Sequence, residues 1–383
     1  MSKVCTVSEA ITAVERRYPV ALTESWDKVG LVCGDRAAPV RRILLVVDVT
    51  DDTVAQAIQV GADMILAHHP LLLRGVHTVA TDTPKGRLLH QLVSAGISLQ
   101  VAHTNADAAR PGVSDALAVA LGLPSEGLAP LRGVDPFPLD ALATTVPTAD
   151  AQRVLDAICE AGAGSSGGNY ERSAFLIEGI GTFVPGTAAR PAFGEVGRVN
   201  EVRETRIETI LPRSHRAAVV RALLQVHPYE EPAFQMTELA PVDASTGLGR
   251  VGTLPTPMTL RAFTQHVAAV LPAAPVGIRA SGDPDRLISR VAVVGGAGDS
   301  MLGDAAAAGA DVFVTSDIRH HVASEFAAAG SHTGGPALID AGHWATERPW
   351  LDQAAWFLRE DLGRTVDIEV SDLVTDPWTV KVP

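Results

Sequence analysis

From residue 42 the chain reads RILLVVDVTDDTVAQAIQVGADMILAHH. An apolar run leads to a polar turn, a helical stretch, a glycine and a second apolar run. The stretch RVAVVGGAGDSMLGDAAAAGADVFVTSD at 290–317 repeats this order without a gap, 248 residues later. In each copy a Val/Ile/Leu run meets an acid, Asp51 or Asp299, near a predicted helix start. Each helix is expected to end at a glycine, Gly61 or Gly309, where a left-handed cap suits that residue. Two strands flanking a helix make a βαβ unit, and their continuous apolar character predicts a parallel sheet covered on both faces. The likeness resumes where GISLQVAHTNAD at 96–107 is set against PALIDAGHWATE at 336–347 with an offset of 240. That alignment places His103 on His343 and Asp107 on Glu347, so the prediction is an α/β core of two pseudo-symmetric halves with largely parallel sheets.

Between the halves the pattern changes. Strands are expected at 139–146, 172–183, 200–211 and 233–239, with helices at 150–162 and 214–226. This βαββαβ order is ferredoxin-like. Glycine-rich GAGSSGG at 162–168 and VPGTAARPAFG at 184–194 supply the connections. The expected division is a first core half at 1–133, an inserted domain at 134–245 and a second core half at 246–383.

Three histidine-bearing clusters follow predicted strands. ILAHHP delivers His68 and His69 to a strand tip that Pro70 closes, because proline cannot donate to a ladder. His103 with Asp107, and His343 with Glu347, are spaced to share a helical face. In open α/β folds ligands bind outside the carboxyl ends of the strands, where neighbouring imidazoles can turn into one crevice. Taken singly, a His pair suits a structural hydrogen bond and His-x-x-x-acid suits an exposed helix. Their convergence on one sheet edge favours a metal site, and the imidazole–carboxylate mixture suits zinc, iron or manganese better than calcium.

Composition narrows the partners. With 46% hydrophobic and 20% charged residues the chain is that of an ordinary globular protein, and its apolar runs are too short to span a membrane. The N-terminus lacks the apolar core of a signal peptide, so the expected location is the cytoplasm. A balance of 31 basic and 44 acidic residues, net −13, without a basic run, argues against nucleic acid as a main partner. Cys5, Cys33 and Cys159 lack metal-ligand or disulfide spacing and are expected to be inert buried thiols. GGAGDS at 295–300 follows a strand but lacks the lysine of a phosphate-binding P-loop. Trp26 and Asp27 either border the site or pack beside a turn, with packing preferred for the tryptophan. Trp350, Trp356 and Phe357 are expected on the buried side of a C-terminal helix.

ESWDKVGL at 24–31, HHP at 68–70, HTNAD at 103–107, SDIRHH at 316–321 and GHWATE at 342–347, in this order, resemble the Nif-three-like dinuclear-metal proteins, known as GTP cyclohydrolase I type 2 homologues. GTFVPG at 181–186, GEVGRVNEVRE at 194–204 and HPYEEPAF at 227–234 look like the PII/CutA-like insert of longer bacterial members. The resemblance implies two divalent ions per chain, bound by His68, His69, Asp107, His343 and Glu347. It makes Glu347 the bridge, sets His69 and Asp107 on one ion and His68 and His343 on the other, and leaves His103 as a neighbour. It further implies a hydrolase using a metal-bridging hydroxide on GTP, a related nucleotide or a phosphoester, and a ring-like homo-oligomer, commonly a hexamer. His103, Asp317 and His321 are the catalytic or orienting candidates, with a solvated loop as the equal alternative for SDIRHH. Lys28, Ser316 and His320 depart from the family's usual residues near expected substrate contacts. The other expectation is a metal-binding scaffold or regulator, for which HPYEEPAF could mark an effector site, although a helix stopped by Pro228 with a strand starting after Pro232 is the preferred reading of that stretch.

Overall fold

The computed structural model describes residues 4–241 and 245–381, less the side chains of 331–333. Residues 242–244, close to the expected end of the insert, lie outside that description. Two units form: Met1–Val134 with Ala244–Pro383, and Asp135–Asp243.

The first unit carries two five-stranded sheets of similar plan. In one, the order is Asp367–Val370, Arg42–Val46, Met64–Ala67, Ser98–Val101 and Gly30–Cys33; the first four are parallel and the last is antiparallel. In the other, it is Arg250–Thr259, Leu287–Ala297, Val312–Ser316, Ala337–Asp340 and Arg279–Ser281, with a parallel central trio and antiparallel edges. Helices cover both faces, which is why the strands read as unbroken apolar runs. Leu44, Val46, Ile65 and Leu99 meet Val54, Leu88 and Leu92 on one side of the first sheet. Ile43, Leu45, Met64 and Leu66 meet Ile11, Val14, Trp350 and Leu351 on the other.

The repeat is present in the strand register. Ile43 pairs with Met64 and Val291 with Val312, so both strands keep the 248-residue spacing. The helix Asp51–Val60 is capped by Thr50 and ends at left-handed Gly61. Its counterpart starts as a tight turn at Asp299–Met301, continues over Leu302–Ala307, and reaches Gly309, also left-handed.

Further along, the structure corrects the alignment by one residue. Met64 pairs with Ser98 and Val312 with Ala337, setting Ser98 and Ala337 in equivalent places. The spacing is therefore 239. The same spacing holds where the Ala102 and Ala341 amides donate to Ala67 and Thr315, and where the Asp107 and Thr346 amides donate to His103 and Gly342. His103 is consequently the counterpart of Gly342, and Asp107 of Thr346. His103 precedes the helix Thr104–Ala108, whereas His343 begins the helix His343–Leu362 after a left-handed Gly342.

That last helix leaves the second sheet and buries Trp350, Leu351 and Leu358 against the first. It thus carries residues of the second half across to the first. Phe357 is buried as expected, but Trp356 is 57% exposed, because the helix has only one face to bury. Cys5 is buried while Cys33 and Cys159 are half-buried, and none of the three is in a disulfide among the described residues.

The second unit has the order strand Leu139–Pro147, helix Ala151–Glu160, strands Ala174–Phe183 and Asn200–Pro212, helix Arg216–Val226 and strand Phe234–Glu238. The last strand pairs beside the first, and Asn200–Pro212 lies between Leu139–Pro147 and Ala174–Phe183, all antiparallel. Val154, Ile158, Val219 and Leu223 seal one face of this sheet over Leu142, Val146 and Ile207. Among the described residues, no helix is long and apolar enough to cross a membrane.

Candidate metal centre

The strand Met64–Ala67 ends in alanine, and the chain then holds its pairing for two more residues. The His68 and His69 amides donate to the carbonyls of Val46 and Val47. Their rings lie 5.0 Å apart, centroid to centroid, tilted by 38° rather than directed to opposite faces. His68 is fully buried.

Four imidazoles are held by Nδ1 from outside. The Nδ1 of His68 bonds the Ala102 carbonyl at 2.9 Å, that of His69 the Asp48 carboxylate at 2.8 Å, that of His103 Asp27 at 2.9 Å, and that of His343 Asp317 at 2.6 Å. With Nδ1 as donor, the Nε2 lone pair is left for whatever lies inside. Three of these Nε2 atoms surround Glu347: His343 at 3.1 Å and His68 at 3.5 Å from Oε1, and His69 at 3.2 Å from Oε2. His68 Nε2 is also 3.7 Å from Asp107, and the Nε2 atoms of His69 and His343 are 3.3 Å apart. Two lone pairs at that separation repel unless a proton or a cation lies between them.

The buried carboxylates and imidazoles polarise one another. Burial opposes ionisation of Glu347, yet His69, His343 and His68 hold it well below the usual carboxylate range. Burial would lower His69 and His343, but Glu347 with Asp48 holds the first up at about 10, and Glu347 with Asp317 the second at about 11. Burial pushes Asp107 up to about 7, against the pull of His103. The Nε2 of His68 and Oε2 of Glu347 are buried without a hydrogen-bond partner, which is costly for polar atoms. Donor atoms of His68, His69 and His103 converge within 4.8 Å, as do those of His69, His343 and Glu347. This donor chemistry, with its outer partners, fits a metal ion.

These groupings differ from the pairing that the family resemblance implied. His69 is the neighbour of His343, because Asp48 and Asp317 aim the two rings at each other, while His68 faces Asp107. His103, expected as a bystander, belongs to a donor group. Asp317 is where an orienting residue was expected, and it adopts left-handed backbone, φ 54°, to present its carboxylate to His343. His321 joins neither donor group among the described residues; it is exposed on the helix His320–Thr333, with its ring against His320. Trp26 is 53% exposed with its ring edge near His103, so it borders the site rather than packing beside a turn. Asp27 is buried, receiving the Thr104 amide and hydroxyl as well as His103.

Sequence reasoning missed Asp48, Thr375 and Gly296. Thr375 donates its hydroxyl to Asp48. Gly296 lies where the strand Leu287–Ala297 loses register, in left-handed backbone, φ 68°. A β-carbon there would stand 2.3 Å from Glu347 Oε1 and 3.0 Å from His343 Nε2. Gly296→Ala is expected to cost about 1–3 kcal/mol through this collision. Urea unfolding checks it, and an unchanged midpoint would show that the cluster can yield.

A cavity of about 240 Å³ adjoins the cluster, lined by Asp48, His69, Asp317, His343, Trp344 and Trp378 among others. Fold and site together define an α/β protein whose strand ends gather imidazoles and carboxylates able to hold metal. A family model described as Duf34/NIF3 (NGG1p interacting factor 3) matches residues 5–377, and the chain belongs to this family. It is 46% identical over 378 residues to a Mycobacterium tuberculosis protein named "GTP cyclohydrolase 1 type 2 homolog", covering 98% of this chain and 97% of that one. A Bacillus subtilis protein of the same name is 37% identical over 382 residues, covering 99% and 100%. The crystal structure of a Bacillus cereus protein related to NIF3 matches with TM-score 0.67 and 36% identity, covering 99% of this chain and 100% of that one.

Proposed function

We propose that the chain is a metal-dependent hydrolase with a dinuclear centre held by His68, His69, Asp107, His343 and Glu347, with His103 as a further donor. The observation that carries this reading is the set of imidazoles anchored by Nδ1 around Glu347, both of whose oxygens face ring nitrogens. Two divalent ions, zinc, iron or manganese, would supply Lewis acidity and make a water far more acidic when bound. Asp48 and Asp317 fix the rings of His69 and His343, and Asp27 fixes His103. Asp48→Ala is expected to weaken metal binding about 10–100-fold, read by competition with a chromogenic chelator. Wild-type affinity in that variant would remove Asp48 from the site.

The relatives' name makes GTP, a related nucleotide or a phosphoester the first substrates to test. A second reading, a metal-binding scaffold, draws support from the Asp48, Asp317 and Asp376 carboxylates lining the cavity, which disfavour an anionic substrate. Metal-loaded protein is to be screened for hydrolysis across nucleotides and phosphoesters. Metal-dependent turnover supports the enzyme, and stoichiometric metal with no turnover supports the scaffold.

The second unit is read as a ferredoxin-like insert, from its strand order. A ring-like homo-oligomer, a hexamer by resemblance, is proposed as the assembled form. In support, the edge strand Ala174–Phe183 leaves Phe175 and Ile180 exposed, a surface that pairing between copies would cover. Light scattering at micromolar concentration tests this, and a monomer mass sinks it. A cytoplasmic location is proposed with it, in keeping with three cysteines of which none is in a disulfide among the described residues.

A further inference from the structure

The second unit contains a cavity of about 730 Å³, bounded by the end of the strand Ala174–Phe183, the connection at 184–199 and the segment around Tyr229. Its volume is in the range of small-molecule sites. HPYEEPAF, which the metal centre does not use, supplies one wall.

At this cavity sits Glu204, on a central strand and 7% exposed. Its Oε1 accepts the Tyr229 hydroxyl at 2.5 Å. Among the described residues no lysine or arginine forms an ion pair with it. The nearby imidazole is no substitute. His227 donates Nε2–H to the Thr145 carbonyl and accepts the Tyr229 amide on Nδ1, so its ring is the neutral tautomer. A buried carboxylate lacking a cation is costly, and it persists where something compensates for it.

Gly181 leaves room for this placement. Its backbone is not left-handed, so conformation does not require glycine. A β-carbon there would stand 2.3 Å from Glu204 Oε2 and 2.4 Å from its carboxyl carbon. Glycine is needed for the carboxylate to lie across the neighbouring strand. Around the carboxylate, the Tyr229 ring has Phe183 and Phe193 each 6.1 Å away, centroid to centroid. Glu230 and Glu231 add acidic groups to the lining, and Glu230 also holds the connection by accepting the Arg190 amide at 2.9 Å.

We propose that this cavity binds a small organic ammonium, with its positive group against Glu204 and Tyr229 and its carbon skeleton among Phe183, Phe193 and the alanines and prolines of 184–192. Carboxylate and aromatic faces both attract a weakly hydrated cation. A ligand bearing its own carboxylate or phosphate would meet three acids and, among the described residues lining the cavity, no base, so amines without an acidic group are the class selected.

The test uses the full-length protein and calorimetric titration at fixed ionic strength. Protonated phenethylamine, tetramethylammonium and spermidine are the probes, and phenylacetate is the anionic control. At least one ammonium should bind saturably, one per chain, and phenylacetate should not. Glu204→Gln should weaken that binding about tenfold or more while keeping a hydrogen-bond acceptor for Tyr229. Tyr229→Phe should weaken it less. Glu204→Gln also removes an unpaired buried charge, so its melting temperature should equal or exceed that of the wild type, and the ammonium should raise the wild-type value alone. The proposal is overturned by absence of saturable binding up to about 10 mM, by equal binding of phenylacetate, by undiminished binding to Glu204→Gln, or by a marked loss of stability in that variant, which would make the carboxylate a structural one.

Discussion

Glu347→Ala should strip the protein of both ions of the proposed dinuclear centre, whereas Asp107→Ala should release chiefly one. Glu347 touches three of the imidazoles, and its two oxygens divide them, His68 and His343 on one and His69 on the other. Removing it subtracts the negative charge at the centre and leaves the Nε2 atoms of His69 and His343, 3.3 Å apart, facing one another. The loss should exceed the roughly 10–100-fold expected for an outer hydrogen-bonding partner such as Asp48. Elemental analysis after gel filtration of metal-loaded protein reads the outcome, and wild-type metal content in Glu347→Ala would exclude it as a ligand.

Arg250→Met should destabilise the first unit by about 3–5 kcal/mol. Arg250 is fully buried; its guanidinium meets Asp115 at 2.7 Å and donates to the carbonyls of Gly247, Gly249 and Ala109. Asp115 in turn accepts the Gly112 amide. Truncating the arginine leaves a buried anion and three carbonyls short of a donor, so the penalty exceeds the lost attraction. Replacing Asp115 as well, by Leu, should recover part of the loss. Urea unfolding of both variants decides, and a cost below about 1 kcal/mol for the single change would mean that the pair behaves like a surface one.

Much of this architecture was legible in the chain, because apolar runs and glycine stops are local signals. Gly61 and Gly309 end their helices where the pattern placed them, and the strand–helix order between 139 and 239 follows from alternation and turn residues. The histidines were legible for the same reason, since each follows a strand that the pattern identifies. Register was harder. The third strands already stand at a spacing of 239, Ser98 with Ala337, so Gly342 rather than His343 lies opposite His103, and nothing local reveals which position opposes which. Asp48 was hidden differently. The parallel pairing of Ile43 with Met64 carries forward to set Asp48 beside His69, but that inference requires the sheet. Gly296 belonged to a segment tested as a phosphate loop, and its use, close approach to Glu347, depends on a residue far along the chain.

The stretches on either side of the second unit have a consequence for inheritance. Arg132–Gly133 and Gly247–Leu248 pair as antiparallel neighbours, and Val134 and Thr246 exchange two hydrogen bonds beside them. Topologically, then, everything from 135 to 245 is the loop of one β-hairpin. Closing a hairpin costs only about 0.6 kcal/mol more for each doubling of loop length. A short turn could replace the whole segment with little penalty to the pairing that flanks it, and the reverse exchange is equally permitted. The junction is a place where a lineage can gain or shed an entire folded module in one step while the strands that carry the histidines stay in register.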